Sequence, residues 1–119
     1  MNAVNILEKF QLFTDHWSPR IVGELNGQLV KLAKFSGEFV WHHHVSEDEM
    51  FLVVKGTLTI EFRNSVVVVR ENEFIVVPRG VEHRPVAHEE VWVMLFEPAC
   101  TINTGSAGGE YTKTKLERI

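Results

Sequence analysis

The run Gly37-Glu38-Phe39-Val40-Trp41-His42-His43-His44-Val45-Ser46-Glu47-Asp48-Glu49-Met50-Phe51-Leu52-Val53-Val54-Lys55-Gly56 decides how this 119-residue chain is read. Side chains on an extended segment alternate faces, so an extended 38–44 puts His42 and His44 on one side and His43 on the other. A short polar loop, 45–48, leads into a second strand, 49–54, whose first residue, Glu49, returns a carboxylate beside the two imidazoles. His83 is a fourth candidate, in the turn Pro78-Arg79-Gly80-Val81-Glu82-His83 that follows the apolar run 73–77. Imidazoles turned inward would be buried polar groups without partners, a costly arrangement that a cation resolves. Three neutral imidazoles and one carboxylate leave a divalent ion with a net charge of about +1. An octahedral shell then keeps two positions open for water, dioxygen or a bidentate substrate. Mixed nitrogen and oxygen ligation suits Mn, Fe, Co, Ni, Cu or Zn without choosing among them.

Working outward, strands are expected at 20–25 and 28–35, joined by Asn26-Gly27, the strongest short hairpin signal. Further strands are expected at 57–62, at 66–69, where four valines read as apolar on both faces, at 73–77, and at 91–96, closed by Pro98. About eight short strands with tight turns and no helix between them indicate an all-β sandwich or barrel. Before them, Ile6, Leu7, Phe10 and Phe13 fall at helical spacing, with Asn5 and Glu8 in capping-box positions; a short helix or an extended arm is expected. After them, the Gly- and Ser-rich stretch from Asn103 reads as a loosely held polar tail. The chain divides into an arm, 1–19, a barrel, 20–102, and a tail, 103–119.

At 119 residues, 45% apolar and 24% charged, the composition is that of one soluble globular domain. The net charge is −4 and the basic residues are scattered, which argues against nucleic acid and anionic membranes as partners. No basic leader with an apolar core opens the chain and no apolar run reaches the length of a membrane span, so a cytoplasmic location is expected. Cys100 stands alone, which excludes an internal disulfide or a Cys-rich zinc site and leaves an inert thiol.

These residues resemble the cupins, small β-barrels of the jelly-roll type. The first cupin motif, a glycine, a spacer, His-x-His, three or four residues, Glu, six residues and Gly, reads here as Gly37, His42-His43-His44, Glu49 and Gly56. The second, Gly, five residues, Pro-x-Gly, two residues, His, three residues and Asn, reads as Asn72, Pro78-Arg79-Gly80, His83 and Ala87. The first glycine and the last asparagine of the second motif are replaced; Asn72 is able to take the left-handed turn conformation that the glycine would serve. The resemblance implies a single jelly-roll β-barrel with His42, His44, Glu49 and His83 as metal ligands.

Cupins include isomerases, epimerases, dioxygenases, decarboxylases, lyases, storage proteins and sensory domains, so the reaction follows by analogy alone. The expectation is a metal-dependent enzyme, isomerase-like or dioxygenase-like, acting on a small polar metabolite such as a sugar derivative or carboxylic acid. A non-catalytic binding or sensor module is the alternative. His43 is expected at a surface or interface, and His16 and His88 in solvated turns. Glu47 and Asp48 belong to the connecting loop. Arg79 and Arg84 are expected at the surface, with a hold on an anionic substrate as their second reading. Val40 and Phe51 share strand parity with the ligands and are expected pocket walls. Apolar residues of both parities in 50–54 and 91–96 predict a second sheet face covered by a partner, and hence a homodimer.

Overall fold

The computed structural model describes residues 1–119 and folds them into one short helix and seven strands. β1 (Arg20–Leu25) and β2 (Gln28–Glu38) form an antiparallel hairpin in which Leu25 faces Gln28. Asn26 and Gly27 both take positive φ, 51° and 78°, as a two-residue primed turn demands. β3 (Glu49–Lys55), β4 (Leu58–Phe62), β5 (Val66–Val69), β6 (Phe74–Val77) and β7 (His83–Pro98) complete the sheet. All pairings are antiparallel, in the order β1-β2-β7-β3-β6, with β4 and β5 joined to the other end of β7. The fold is an all-β jelly roll.

β7 is the strand that closes it. Its first residues pair with β4, His83 facing Phe62 and Val86 facing Thr59. Its second half lies between β2 and β3, with Phe96 facing both Val30 and Met50. The sequence signals only 91–96, because Pro85 and the pair Glu89-Glu90 read as a break. The ladder survives Pro85 since that residue uses only its carbonyl, which accepts from the Phe39 amide at 3.0 Å.

The expected strand 38–44 does not form. β2 ends at Glu38 after a register shift between Phe35 and Gly37, and the histidine segment runs beside β7 with a single bridge, His42 to His83. Seven strands therefore replace the eight expected. The valine strand differs too: β5 pairs only with β4, so as an edge strand it buries Val69 and leaves Val66, Val67 and Val68 exposed. Asn72 takes φ 67°, the left-handed conformation anticipated for it. Ala87 is fully buried, in a core where an asparagine amide would need partners.

Inside the barrel, inward residues of alternate parity, among them Phe35, Phe51, Val53, Ile60, Val93 and Leu95, make one core with Trp17 and Phe39. Outside it, α1 (Ile6–Phe10), capped by the Asn5 side chain accepting from the Glu8 amide at 3.1 Å, lies over the second face of the sheet. Phe10 is fully buried there, stacked on Trp92 at 4.8 Å and next to Phe13 and Leu32; burial of such a ring is worth about 2 to 3 kcal/mol. Lys34 points into this layer, its Nζ donating to the Phe13 carbonyl at 2.8 Å and lying over the Trp92 ring. The chain's own arm thus covers part of the face that the sequence assigned to a partner.

The tail is fastened rather than loose. Thr104 is fully buried and bonds Thr112 at 2.6 Å, and Asn103 is held at both ends, donating to the Tyr111 carbonyl at 2.8 Å and accepting from the Lys113 amide at 2.9 Å. Tyr111 packs on Trp17 and Phe39, and Ile119 bonds Ile21 and Lys9. Short polar side chains that satisfy one another locally hold such a segment without regular structure. No helix is long and apolar enough to cross a membrane.

Candidate metal centre

His42 and His83 exchange two backbone hydrogen bonds, 3.0 and 2.9 Å, which bring the two motif histidines from distant parts of the chain side by side. Each donates its Nδ1 proton to the carbonyl two residues back, Val40 or Val81, at 2.9 Å. That bond fixes the tautomer and turns the bare Nε2 inward. His44 follows at the same parity as His42, and Glu49 opens β3 opposite Val77. All four side chains are buried, and their donor atoms lie within 4.8 Å of one another. A shell of radius about 2.1 Å spaces its donors by about 3 to 4 Å, so a small contraction would close the four on one ion.

The unsatisfied atoms favour the same occupant. His44 Nε2, His83 Nε2 and Glu49 Oε1 are buried without a hydrogen bond. Glu49 Oε1 does approach the two nitrogens, at 3.3 and 3.5 Å, but not in hydrogen-bonding alignment. Buried lone pairs converging in this way are costly unless a cation takes them. The charge states agree with ligation. Burial, and then the neighbouring His83, lower His42 to about 4, so it stays neutral near pH 7. Burial alone would raise Glu49, yet His44 and His83 beside it prevail and hold it below the usual carboxylate range.

Behind Glu49 lies a feature that the sequence reading missed. Next to the pair Met50 and Phe96, the Glu49 carboxylate neighbours that of Glu97, and Glu97 bonds the buried Lys31 at 2.7 Å. Burial, and then the charge of Glu49, push Glu97 well above the usual range, with Lys31 only partly opposing. Strand parity carried the signal: Lys31 and Glu97 share the inward parity of Ala33 and Leu95.

The remaining candidates lie elsewhere. His43 is half-buried, its Nδ1 3.0 Å from the Ser106 hydroxyl. His16 pairs with Glu90 at 2.7 Å, and His88 is exposed. Asp48 is engaged by the backbone and guanidinium of Arg79, which lower it, and Arg84 bonds Glu61 and Glu38. Neither arginine lines the cavity at the centre. Phe51 does line it, together with Trp17, Phe35, Phe39, Leu95 and the cluster residues His42 and Glu49, whereas Val40 only packs against the core. Trp17 takes φ 59° and inserts between Phe35 and Phe39, a placement that its position before β1 did not signal. Cys100 is free and exposed.

Residues 28–97 match the family described as Cupin domain; the chain belongs to it, and the jelly roll and the His/Glu cluster are those of a small cupin. It is similar to a cupin-2 domain containing protein from Shewanella frigidimarina, 48% identical with a TM-score of 0.80, over 81% of this chain and 94% of that one. It also resembles protein NMB1881 from Neisseria meningitidis, 27% identical with a TM-score of 0.75, over 82% of this chain and all of that one. A Bacillus subtilis protein, the uncharacterized YdbB, is 41% identical over 64 residues, which are 53% of this chain and 57% of that protein's length.

Proposed function

We propose that this chain is a metal-dependent cupin enzyme that holds one divalent transition ion on His42, His44, Glu49 and His83. Its substrate is a small metabolite that offers the ion a pair of oxygens, as a carboxylic acid does. The observation that carries this reading is the convergence of unsatisfied buried nitrogen and carboxylate atoms of His44, His83 and Glu49 beside a cavity that His42 and Glu49 line. The ion supplies Lewis acidity to a bound carbonyl or enolate. The protein's part is to fix the rings of His42 and His83 with Nε2 inward through the Val40 and Val81 carbonyls, to keep His42 neutral by burial, to keep Glu49 ionised, and to exclude water with aromatic walls.

The test is Glu49→Gln in protein loaded with metal. The exchange removes one charge from the shell, so turnover of a converted substrate should fall far more than its binding. Conversion is sought with oxo acids, sugar acids and diketones, with oxygen uptake and product followed together. Stoichiometric binding without conversion under any metal or oxygen condition would replace the enzyme by a binding module.

We further propose a homodimer. It is supported by the outer face beyond the reach of α1, where Phe74 and Val76 of β6 are 61% and 50% exposed beside Met50, Leu52 and Phe96. A contiguous apolar face of this kind is the surface a second copy covers.

A further inference from the structure

We infer that the ligand of this centre has a flat, apolar body and carries its only polar groups at the end that meets the metal. The inference rests on the metal reading above and narrows its substrate class. Its basis is the state of every polar side chain along the cavity. His42 and Glu49 belong to the metal cluster. Asn103 has its amide nitrogen on the Tyr111 carbonyl and its oxygen on the Lys113 amide. The Trp17 indole donates to the Ser36 carbonyl at 2.9 Å. No lysine or arginine lines the cavity, because Arg79 and Arg84 are bound to carboxylates outside it.

A sugar or polyol in this space would bury more hydroxyls than the remaining amide N–H and lone pair of Asn103 could satisfy. Each unsatisfied one costs roughly five- to a hundredfold in affinity. A sugar derivative, one of the two substrate classes expected from the sequence, is therefore disfavoured, and the acid class survives with a hydrocarbon body.

Shape adds the second condition. The walls include three near-parallel rings, with Trp17 4.3 Å from Phe35 at 14° and 4.7 Å from Phe39 at 21°. Phe51 and Leu95 also line the space. Unfilled space totals about 320 Å³ out to the open mouth, and the centre of a water molecule can reach only about 20 Å³ of it. A narrow space walled by aromatic rings and Leu95 admits a planar group more readily than a puckered one, and rewards it by apolar contact.

The probes are phenylpyruvate and 2-ketogluconate, which carry the same 2-oxo acid head, so that coordination to the ion cancels in the comparison. The protein is loaded with zinc, its metal content is measured first, and each acid is titrated calorimetrically. Phenylpyruvate should bind at least tenfold more tightly. Phe39→Leu, which keeps the wall apolar but removes its flat face, should cut that ratio severalfold while zinc stays at one per chain. Equal or tighter binding of 2-ketogluconate, or binding of neither acid to zinc-loaded protein, overturns the inference and leaves the metal centre intact. Failure of the wild-type protein to take up zinc or any other transition ion would instead overturn the metal reading.

Discussion

Lys31 Nζ and Glu97 Oε1 lie 2.7 Å apart with 1% of each side chain exposed, so this pair is sealed inside the barrel directly behind Glu49. Removing one partner strands the other without water. Glu97→Leu should therefore destabilise the fold by about 3 to 5 kcal/mol in a denaturant titration, and Lys31→Met with Glu97→Leu should recover most of that loss. A double variant no more stable than the single one would show that the pair does not act as a unit.

His42→Ala and His83→Ala should each lower metal content well below one ion per chain in protein that stays folded, as read by elemental analysis and circular dichroism. His43→Ala should leave it unchanged, since that ring is turned toward Ser106. Full occupancy in both ligand variants would remove the assignment.

The metal-free protein should lose stability in acid over a defined range. An unfolded histidine takes up its proton near pH 6.5, whereas folded His42 resists until about pH 4. The unfolded state binds more protons between these values, so His42's contribution is full above about pH 6.5 and declines as pH falls toward 4. The loss is on the order of 3 kcal/mol. Metal affinity should fall over the same range, because protons compete for the same lone pairs. Thermal melts and metal titrations at half-unit pH steps would reveal either trend, and flat profiles would contradict both.

Gly105 should tolerate no side chain. It takes φ 50°, and a Cβ there would sit 2.3 Å from the His43 carbonyl oxygen and 3.1 Å from His44 Nδ1. Gly105→Val should cost about 2 kcal/mol or more and reduce metal occupancy by displacing His44. Wild-type stability in the variant would mean that the tail does not rest on the histidine segment in solution.

In solution the chain should scatter light as a dimer of about 27 kDa, twice its 13.6 kDa. Phe74→Lys should shift it to a monomer. A wild-type monomer at micromolar concentration would show that the outer face of β3 and β6 is simply solvated.

The convergence of His42, His44, Glu49 and His83 was legible because the His-x-His alternation, Glu49 at a strand start and His83 after Pro-x-Gly are local patterns that each imply a direction. The hairpin at Asn26-Gly27 and the cap at Asn5 were legible for the same reason, and the structure has both. What escaped was non-local. β7 reads as interrupted at Pro85 because a proline's effect depends on which of its neighbours needs a donor, and here the partner needs only the carbonyl. Four valines at 66–69 cannot announce that they form an edge, since that depends on β6 leaving for the opposite end of the sheet order. The tail looked loose because its anchors, Thr104, Asn103 and Tyr111, bond mainly to one another and to an aromatic stack assembled from Trp17 and Phe39.

The family match ends at residue 97 and begins at 28, and the centre divides along that line. The His/Glu cluster, with Lys31 and Glu97 behind it, falls inside the matched span. Trp17, Pro19 and Asn103, which line the cavity, and Tyr111, which backs Trp17, fall outside it. The cavity is thus built jointly: Phe35, Phe39, Phe51, Pro85 and Leu95 come from the matched span, and the flanks add Trp17, Pro19 and Asn103 to its wall. A protein that shares only the central span can therefore share the His/Glu cluster while closing the cavity above it with different flanking side chains.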